Sequence, residues 1–394
     1  MDFLVRLPIH DSKGKLFGYE LKGEHALATL LSMDSPQHGT ETEEAMGHHL
    51  IGSDLRVFVE IDERTPLPHE SSGRSKHPIV FMVDEPMLQE LSVDSHHQLE
   101  RSGYQLATQG LDVLFSLSFG QKMPTYVLIG EGDLSSLDRA MVKRAEEFGM
   151  SILMCGVDRR SQYQEGIDKG IHLFKGNYFK VPDIQDDVPL PMNQVVYFQL
   201  LKELRQPDLD LKHLEQIIER DATLTFKLMQ FINSAHFGTR FRIRTIKHGL
   251  SLLGEHEIQK WATMIVVGLM AQSGPQELLT TALIRARFCE EMADHTGQER
   301  LKQESFFLGM ISVLDAMLNR PMTSLLKQLP ISSLIAEALL GSTQNQLALL
   351  LQLILDYEQA NWFRLTDSAH RLKVAEDLVV QTYFNAVEFA SQDV

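Results

Sequence analysis

Residues able to bind a metal ion are scattered through this chain of 394 residues. His10-Asp11 is a His-Asp dipeptide, but it stands where a strand-like run meets a turn, so we interpret it as a pair of turn residues. His48-His49 and His96-His97 are adjacent pairs, and neighbouring side chains point to different faces of an element rather than at one ion. We therefore predict no metal site and no cofactor.

One basic cluster could bind phosphate or nucleic acid. It consists of Arg240, Arg242, Arg244 and Lys247. Phe241 and Ile243 alternate with these cations, so a solvated connection between two helices, with the apolar residues packed beneath it, is the alternative interpretation. The chain has 37 Lys and Arg against 53 Asp and Glu, a net charge of −16, which favours that alternative and disfavours binding to nucleic acid or an anionic membrane. We keep a phosphate-contacting role for the cluster as a minor hypothesis.

No catalytic nucleophile is indicated either. Ser234 has no His and carboxylate arranged around it in the sequence. Cys155 and Cys289 are the two cysteines and stand far apart in apolar surroundings, so neither a disulfide framework nor a zinc cluster is expected. The N-terminus lacks the pattern of a signal peptide, and the apolar run Leu347–Leu355 is too short to cross a bilayer. We expect a cytoplasmic protein without membrane insertion.

Strand-like runs dominate the first half of the chain. Two strands flank the turn at Asp11–Lys15, and helical stretches such as Leu137–Phe148 separate some of the later runs. The later strand-like runs are Val57–Ile61, Ile79–Val83, Leu111–Ser118, Tyr126–Ile129, Ser151–Cys155 and Ile171–Phe174. A helix between Glu24 and Ile51 and a loop at Arg64–Pro78 are also predicted. Strands that alternate with helices predict parallel β/α units and an α/β fold that could close into a barrel.

The second half of the chain is predicted to be all-α. Val181–Pro191 contains three prolines and three aspartates and is the best linker candidate. Within Asp221–Gly254, apolar residues at helical spacing predict an amphipathic helix that ends near Asn233 and Gly238, where a left-handed backbone is tolerated. Thr245 begins the next helix and Gly254 ends it. We therefore predict two domains, residues 1–185 and 186–394.

The helical half resembles the HDOD domain, a module related to HD phosphohydrolases that lacks their chemistry. The resemblance rests on Asp221–Gly254 and on three further motifs. These are Pro189-Leu-Pro-Met-Asn-Gln-Val-Val, Phe307-Leu-Gly-Met-Ile-Ser-Val-Leu-Asp-Ala-Met-Leu and Ala338-Leu-Leu-Gly. Several motifs in the right order over about half of the chain make this a specific signal.

The first half resembles EAL domains through Leu4-Val-Arg-Leu-Pro-Ile-His-Asp and Gly18-Tyr-Glu-Leu. EAL domains are β/α barrels that hydrolyse cyclic di-GMP with two divalent metals, and such metals need several oxygen ligands. The resemblance places the family's metal-binding and phosphate-contacting positions on Glu20, Glu24, Glu60, Met82, Gln109, Gly110, Leu128, Cys155 and Lys175. Glu20 matches the glutamate of the EAL tripeptide, and the other positions depart from the family pattern. The resemblance therefore implies a degenerate barrel in which Glu20 is a remnant and the strand ends have been repacked as core.

Together the two halves resemble the EAL–HDOD (YuxH-like) signalling proteins of bacteria. The expected fold is a degenerate EAL-type, TIM-like β/α barrel followed by an all-helical HDOD domain. We expect no enzyme but a regulatory adaptor that acts by protein–protein contacts in a pathway linked to cyclic di-GMP, such as motility or biofilm formation. Its protein partners stay unidentified, and formation of a homo-oligomer stays open. The alternatives are a cyclic di-GMP receptor that does not hydrolyse its ligand, which the sequence does not favour, and a residual phosphodiesterase.

Overall fold

The structure is a computed structural model in which the chain divides into two compact units. The first unit contains Met1–Val181 and Asp356–Phe363, and the second contains Pro182–Leu355 and Arg364–Val394. The residues that the structure describes are 3–23, 26–27, 30, 55–61, 78–91, 93–115, 123–184, 192–206, 209–233, 243, 245–271, 274–329, 331–342 and 344–392. Most of the predicted helix Glu24–Ile51 and nearly all of the loop Arg64–Pro78 lie outside these residues.

The first unit is a closed barrel of eight strands in sequence order. The strands are β1 (Val5–Asp11), β2 (Leu16–Lys22), β3 (Arg56–Glu60), β4 (Ile79–Val83), β5 (Gln105–Gln109), β6 (Tyr126–Ile129), β7 (Ser151–Cys155) and β8 (Leu173–Lys175). β1 is antiparallel to both of its neighbours, β2 and β8, and the other neighbouring pairs are parallel. Side chains alternate between the two faces of a strand, so every second residue enters the barrel. The predicted barrel is confirmed.

A core of inward-pointing side chains fills the middle of the barrel. Its buried members are Ile9, Phe58, Val80, Ala107, Tyr126, Leu128, Leu153 and Leu173. They come from seven of the eight strands, so the interior is a packed core rather than a pore. Beyond this core, the inward-facing positions near the strand ends are free to hold polar side chains.

The prediction of a strand at Leu111–Ser118 is wrong for Leu111–Phe115, the part of this run that the structure describes. β5 is Gln105–Gln109, which pairs with β4 and β6 in parallel register. The apolar residues that follow belong to the helix Asp112–Phe115, where Val113 and Leu114 are buried. The pattern of a short apolar run fits either a strand or a helix. Here the pairing of Gln105–Gln109 with β4 and β6 determines which residues form the strand.

Helices of the first unit connect the parallel strands. They are α1 (Glu85–Glu90), α2 (Val93–Arg101), α3 (Asp112–Phe115), α4 (Glu131–Leu134), α5 (Arg139–Glu147) and α6 (Arg160–Lys169). α5 confirms the helix predicted at Leu137–Phe148 and begins at Asp138, whose carboxylate accepts from the Met141 amide at 2.8 Å. In α6, a Cβ on Gly166 would lie 2.6 Å from the ring of Phe174, so this helix approaches β8 closely because the residue is glycine.

The regular elements among the described residues of the second unit are all helices. Its helices are α7 (Met192–Glu203), α8 (Leu211–Glu219), α9 (Ala222–Ile232), α10 (Ile246–Leu253), α11 (Glu255–Met270), α12 (Gln276–His295), α13 (Lys302–Ile311), α14 (Leu314–Leu318), α15 (Met322–Leu326), α16 (Ser333–Leu339), α17 (Gln346–Glu358), α18 (Trp362–Leu372) and α19 (Glu376–Gln392). The predicted fold class, a β/α barrel followed by an all-helical region, is confirmed. The last residues of α17 and the first residues of α18 are assigned to the first unit.

The stretch Asp221–Gly254 forms two helices, as predicted, but the first ends by a different mechanism. Asn233 follows α9 with φ −93°, so its backbone is not left-handed. Its side chain instead donates to the carbonyls of Met229 and Ile243 and accepts from the Ile243 amide. Thr245 begins α10 and Gly254, at φ 76°, ends it, as predicted. Ser234 and Gly238 lie outside the described residues.

Close packing of α12 against α13 depends on Gly309. A Cβ at this position would lie 2.3–2.4 Å from backbone atoms of Arg285 and Ala286, distances that atoms cannot adopt. Gly309 belongs to the predicted motif that begins at Phe307, and that motif is split between α13 and α14. The glycine therefore has a packing role between these two helices.

No helix among the described residues is long and apolar enough to cross a membrane. The apolar run Leu347–Leu355 lies within α17, where Leu350, Leu353 and Ile354 are fully buried.

Candidate functional site at the mouth of the barrel

A cavity of about 580 Å³ opens at the carboxyl ends of the barrel strands. Its lining residues come from β2 to β8 and from the start of α1, including Ile61 and Met87 at its apolar wall. The carboxyl ends of the strands are where β/α barrels place their binding sites, because the βα loops meet there. This cavity is therefore the candidate functional site of the first unit.

The structure brings most of the positions singled out in the sequence to this one cavity. Glu20, Glu60, Met82, Gln109, Leu128, Cys155 and Lys175 all line it. Glu24 lies outside the described residues. These seven positions span 156 residues of sequence. They converge because each lies at or near the carboxyl end of its own strand. The cavity also corrects one expectation: Met82 and Cys155 pack against the barrel core, but the strand ends are not filled.

Glu20 and Lys175 form an ion pair in the wall of the cavity. The ammonium of Lys175 donates to Oε2 of Glu20, and the two side chains are 17% and 9% exposed. Glu20 is on β2 and Lys175 is on β8, on either side of β1, where they pair in register with Leu7 and Ile9. Burial by itself would lower the pKa of Lys175, but the neighbouring Cys155 and the Glu20 carboxylate outweigh it and raise the pKa. The lysine is therefore cationic at neutral pH and neutralises the glutamate.

Cys155 lies beside this pair at the end of β7. Burial raises the pKa of its thiol, and Lys175 opposes that shift only in part. The thiol is therefore protonated at neutral pH, and its hydrogen bond to the Leu153 carbonyl is long at 3.8 Å. A protonated, partly buried thiol is a poor nucleophile and a poor ligand for a hard cation.

The rest of the polar lining is acidic. Glu60 is exposed at the end of β3, and Asp84 and Glu85 stand at the start of α1. Asp84 is committed to helix capping, since Oδ1 accepts from the Met87 amide at 2.8 Å. Glu85 accepts from Gln89. The described lining thus contains four carboxylates and one ammonium, Lys175.

This set of side chains does not fit a pair of divalent cations. Mg²⁺ and similar ions need several free oxygen ligands around each ion. Glu20 is held by Lys175, Asp84 caps α1, and Met82 offers only a thioether. Among the residues that the structure describes, no group of three or more His, Cys, Asp or Glu is placed to hold a metal ion.

The other candidates from the sequence lie away from the cavity. His10 lies within β1 rather than in a turn. It is 1% exposed, and its ring centroid lies 4.8 Å from that of Phe179. Burial is the largest effect on its pKa, which is lowered to about 4. His97 is exposed on α2 beside Glu100, and Cys289 is buried in α12. His48-His49 lie outside the described residues.

Three members of the basic cluster, Arg240, Arg242 and Arg244, also lie outside the described residues. Lys247 is exposed on α10, and Ile243 is buried. The phosphate-contacting role of this cluster stays a prediction.

Sequence reasoning missed two features of the first unit. Asp84-Glu85-Pro86 begins α1 at the rim of the cavity, and its signal, a capping residue followed by proline in the first turn, was present in the sequence. The second feature is the placement of Asp356–Phe363 in the first unit, for which the sequence gives no local signal.

Comparison with known proteins identifies a domain within the second half. The HDOD domain model matches residues 190–320. Residues 190–320 form an HDOD domain. This confirms the resemblance found in the sequence, and the match includes the motif Asp221–Gly254, the packing glycine Gly309 and helices α7 to α14.

Curated relatives cover nearly the whole chain. The chain is 26% identical over 406 residues to the uncharacterized protein YuxH of Bacillus subtilis, covering 98% of this chain and 97% of that protein. It is also 26% identical over 383 residues to the cyclic di-GMP phosphodiesterase CdgJ of Vibrio cholerae, covering 91% of this chain and 85% of that protein. The similarity to these relatives therefore extends over both halves of this chain.

Solved structures similar to this chain include two EAL proteins. The EAL domain of Mycobacterium smegmatis DcpA matches 45% of this chain and 90% of that domain, at 15% identity and a TM-score of 0.32. A standalone EAL protein from Vibrio cholerae, in its c-di-GMP-bound form, matches 45% of this chain and 91% of that chain, at 15% identity and a TM-score of 0.30.

Proposed function

We propose that this protein is a non-catalytic regulator in a cytoplasmic pathway linked to cyclic di-GMP, and that it acts through protein–protein contacts. The link to cyclic di-GMP rests on its relationship to CdgJ, which is named as a cyclic di-GMP phosphodiesterase. The single observation that carries the absence of catalysis is the ion pair between Glu20 and Lys175. It places an ammonium against the one carboxylate that matches the EAL tripeptide.

The ion pair opposes metal-dependent hydrolysis for an electrostatic reason. A divalent cation at Glu20 would have to displace the Lys175 ammonium or lie close to it, and both like-charge repulsion and loss of the pair disfavour this. Two metals a few ångströms apart would need still more anionic ligands at the same place. Met82 and Leu128 offer none there.

The acidic lining opposes binding of the dinucleotide itself. Cyclic di-GMP carries two phosphate groups, and a site for phosphate needs cations or free amide donors. The only cation in the described lining is Lys175, which Glu20 already neutralises, whereas Glu60 and Glu85 stand at the rim. These charges favour a barrel that no longer takes this ligand.

A receptor function is the second candidate, because the cavity remains open. About 580 Å³ lies within the range of small-molecule sites, and its wall combines apolar and polar side chains. A receptor would bind cyclic di-GMP without turnover.

The deciding experiment is a calorimetric titration of the purified full chain with cyclic di-GMP in the presence of Mg²⁺, with hydrolysis assayed on the same samples. Neither heat nor product is expected. Saturable heat without product would replace the adaptor with the receptor, and product formation would refute the non-catalytic proposal. A Glu20→Gln variant is the control, because turnover by the barrel would be lost in it, whereas a contaminating phosphodiesterase would persist.

The protein-contact part needs its own test. Phe226 on α9 and Leu252 on α10 are 67% and 55% exposed within the HDOD domain, which makes them candidate contact residues. Proximity labelling in cells should identify a partner set that is reduced in Phe226→Ser. Val195→Ser, 42% exposed on α7, is the matched control. Identical labelling by the wild type, Phe226→Ser and a cytoplasmic reference protein would contradict a role through protein contacts.

A further inference from the structure

A short segment late in the chain contacts the residues just before the first strand of the barrel. We call residues Asp356–Phe363 the strap, because they belong to the compact unit formed by the barrel. The strap contains the end of α17, a tight turn and the start of α18. In the turn, the Asn361 amide donates to the Asp356 carbonyl at 2.9 Å, and Ala360 adopts a left-handed backbone with φ 53°.

The strap contacts the chain immediately before β1. The ring of Trp362 stacks on that of Phe3 with centroids 4.9 Å apart and planes 5° from parallel. Tyr357 is fully buried, and its hydroxyl donates to the Leu4 carbonyl at 2.9 Å. Its ring also meets the rings of Phe3 and Trp362 edge to face. The three rings form one aromatic cluster.

The strap also contacts the chain just after β8. Glu358 accepts from the ammonium of Lys180 at 2.8 Å, and both side chains are largely buried, at 12% and 16% exposed. The entry into β1 and the exit from β8 are therefore held by the same eight residues. These two strands are neighbours in the closed barrel.

β1 connects the strap to the candidate site. It pairs with β2 through Leu7 and Glu20, and with β8 through Ile9 and Lys175. The two members of the ion pair thus stand on the strands that flank β1. A barrel is a closed ring of hydrogen bonds, so loosening β1 frees both neighbouring strands at once.

We propose that the strap is a conformational latch for the barrel cavity. With the strap docked, β1 is held and the Glu20–Lys175 pair closes that side of the cavity. With the strap released, β1 loosens and Cys155, beside Lys175, becomes more accessible. Because the strap is the end of α17 and the start of α18, a shift in either helix is a shift of the strap.

Two neighbouring aromatic residues give a matched pair of variants. Trp362 belongs to the aromatic cluster, whereas Phe363 is 87% exposed. We would measure hydrogen exchange in β1, β8 and α12 of the full chain carrying Trp362→Ala or Phe363→Ala. Exchange in β1 and β8 should be roughly tenfold faster in Trp362→Ala, because a stacked aromatic pair contributes roughly a tenfold factor or more to local stability. Phe363→Ala should exchange like the wild type.

Thiol labelling supplies the second measurement. Cys155 is partly buried in the cavity wall, and Cys289 is fully buried in α12 and serves as the internal reference. Labelling of Cys155 by a maleimide should accelerate severalfold in Trp362→Ala, with no change at Cys289. If Cys289 and α12 of Trp362→Ala also react faster, that variant has unfolded more widely. Tyr357→Phe, which removes one hydroxyl, is then the deciding variant. It should show a smaller change that is confined to β1, β8 and Cys155.

The latch is overturned by either of two results. One is an exchange rate in β1 of Trp362→Ala equal to that of the wild type. If Tyr357→Phe is the deciding variant, the same result in Tyr357→Phe overturns the latch. The other is faster exchange in β1 with an unchanged labelling rate at Cys155, since the strap would then stabilise the barrel without acting on the cavity.

Discussion

Replacing Lys175 by methionine should destabilise the barrel because it leaves the Glu20 carboxylate buried without its partner. The pair is 9% and 17% exposed, so it belongs with buried rather than surface ion pairs. Breaking such a pair costs about 3–5 kcal/mol, and we expect about 3 kcal/mol here because the pair borders an open cavity that water can enter. Glu20→Gln, which strands the ammonium instead, should cost a similar amount.

The double variant Glu20→Gln/Lys175→Met separates coupling from packing. It removes both charges, so neither ion is left unpaired. The double variant should therefore lose about 2 kcal/mol less unfolding free energy than the two single variants lose in sum. The measurement is native-state hydrogen exchange in β2 and β8, because two compact units make a single unfolding transition an unsafe assumption. Additive effects, within about 0.5 kcal/mol, would refute the pairing that we assign to the cavity.

The pH dependence of the same variants gives an independent check. The folded-state pKa of Lys175 is raised above its ordinary value of 10.5, so the folded state binds the proton more tightly than the unfolded state. The contribution of Lys175 to stability is therefore fully present below pH 10.5 and is lost as the pH rises through the folded pKa. The stability difference between the wild type and Lys175→Met should stay constant at neutral pH and shrink above that value.

Three further outcomes follow from packing, capping and burial. Gly309→Ala should destabilise the HDOD domain by about 3 kcal/mol in native-state hydrogen exchange of α12 and α13, because its Cβ would overlap the backbone of Ala286. Gly268→Ala, also inside a helix but with only a side chain at 3.5 Å, should be neutral or stabilising, and equal losses for the two variants would contradict this explanation. Asn233→Ala should cost about 2 kcal/mol in native-state hydrogen exchange of α9 and α10, since one hydrogen bond to Met229 within α9 and two to Ile243 just before α10 are lost; a change under about 0.5 kcal/mol would show that they contribute little. The pKa of His10 is lowered to about 4, so the unfolded state binds its proton first and stability should fall as the pH drops from 6.5 toward 4. His10→Leu should remove that part of the acid sensitivity, and identical acid profiles would count against the buried, neutral histidine.

Local patterns in the sequence were enough for most elements of the fold. Strand alternation, the turn at Asp11–Lys15, and the helix signals at Thr245 and Gly254 act over a few residues and do not depend on distant partners. The HDOD motifs likewise identified the domain confirmed at residues 190–320. Local reasoning failed at Leu111–Ser118, where an apolar run fits a strand or a helix and only pairing with β4 and β6 distinguishes them.

The candidate site was decided in two stages. The sequence supplied the residue types, Glu20 and Lys175 among them, because their strands and the EAL resemblance could be found locally. That these two side chains meet depends on closure of the barrel, which joins positions 155 residues apart. The strap depends on tertiary structure alone, since the hydroxyl of Tyr357 reaches Leu4 across 353 residues. Local propensity carries no information about contacts at such separations, because they form only when burial of the apolar surfaces brings the two segments together.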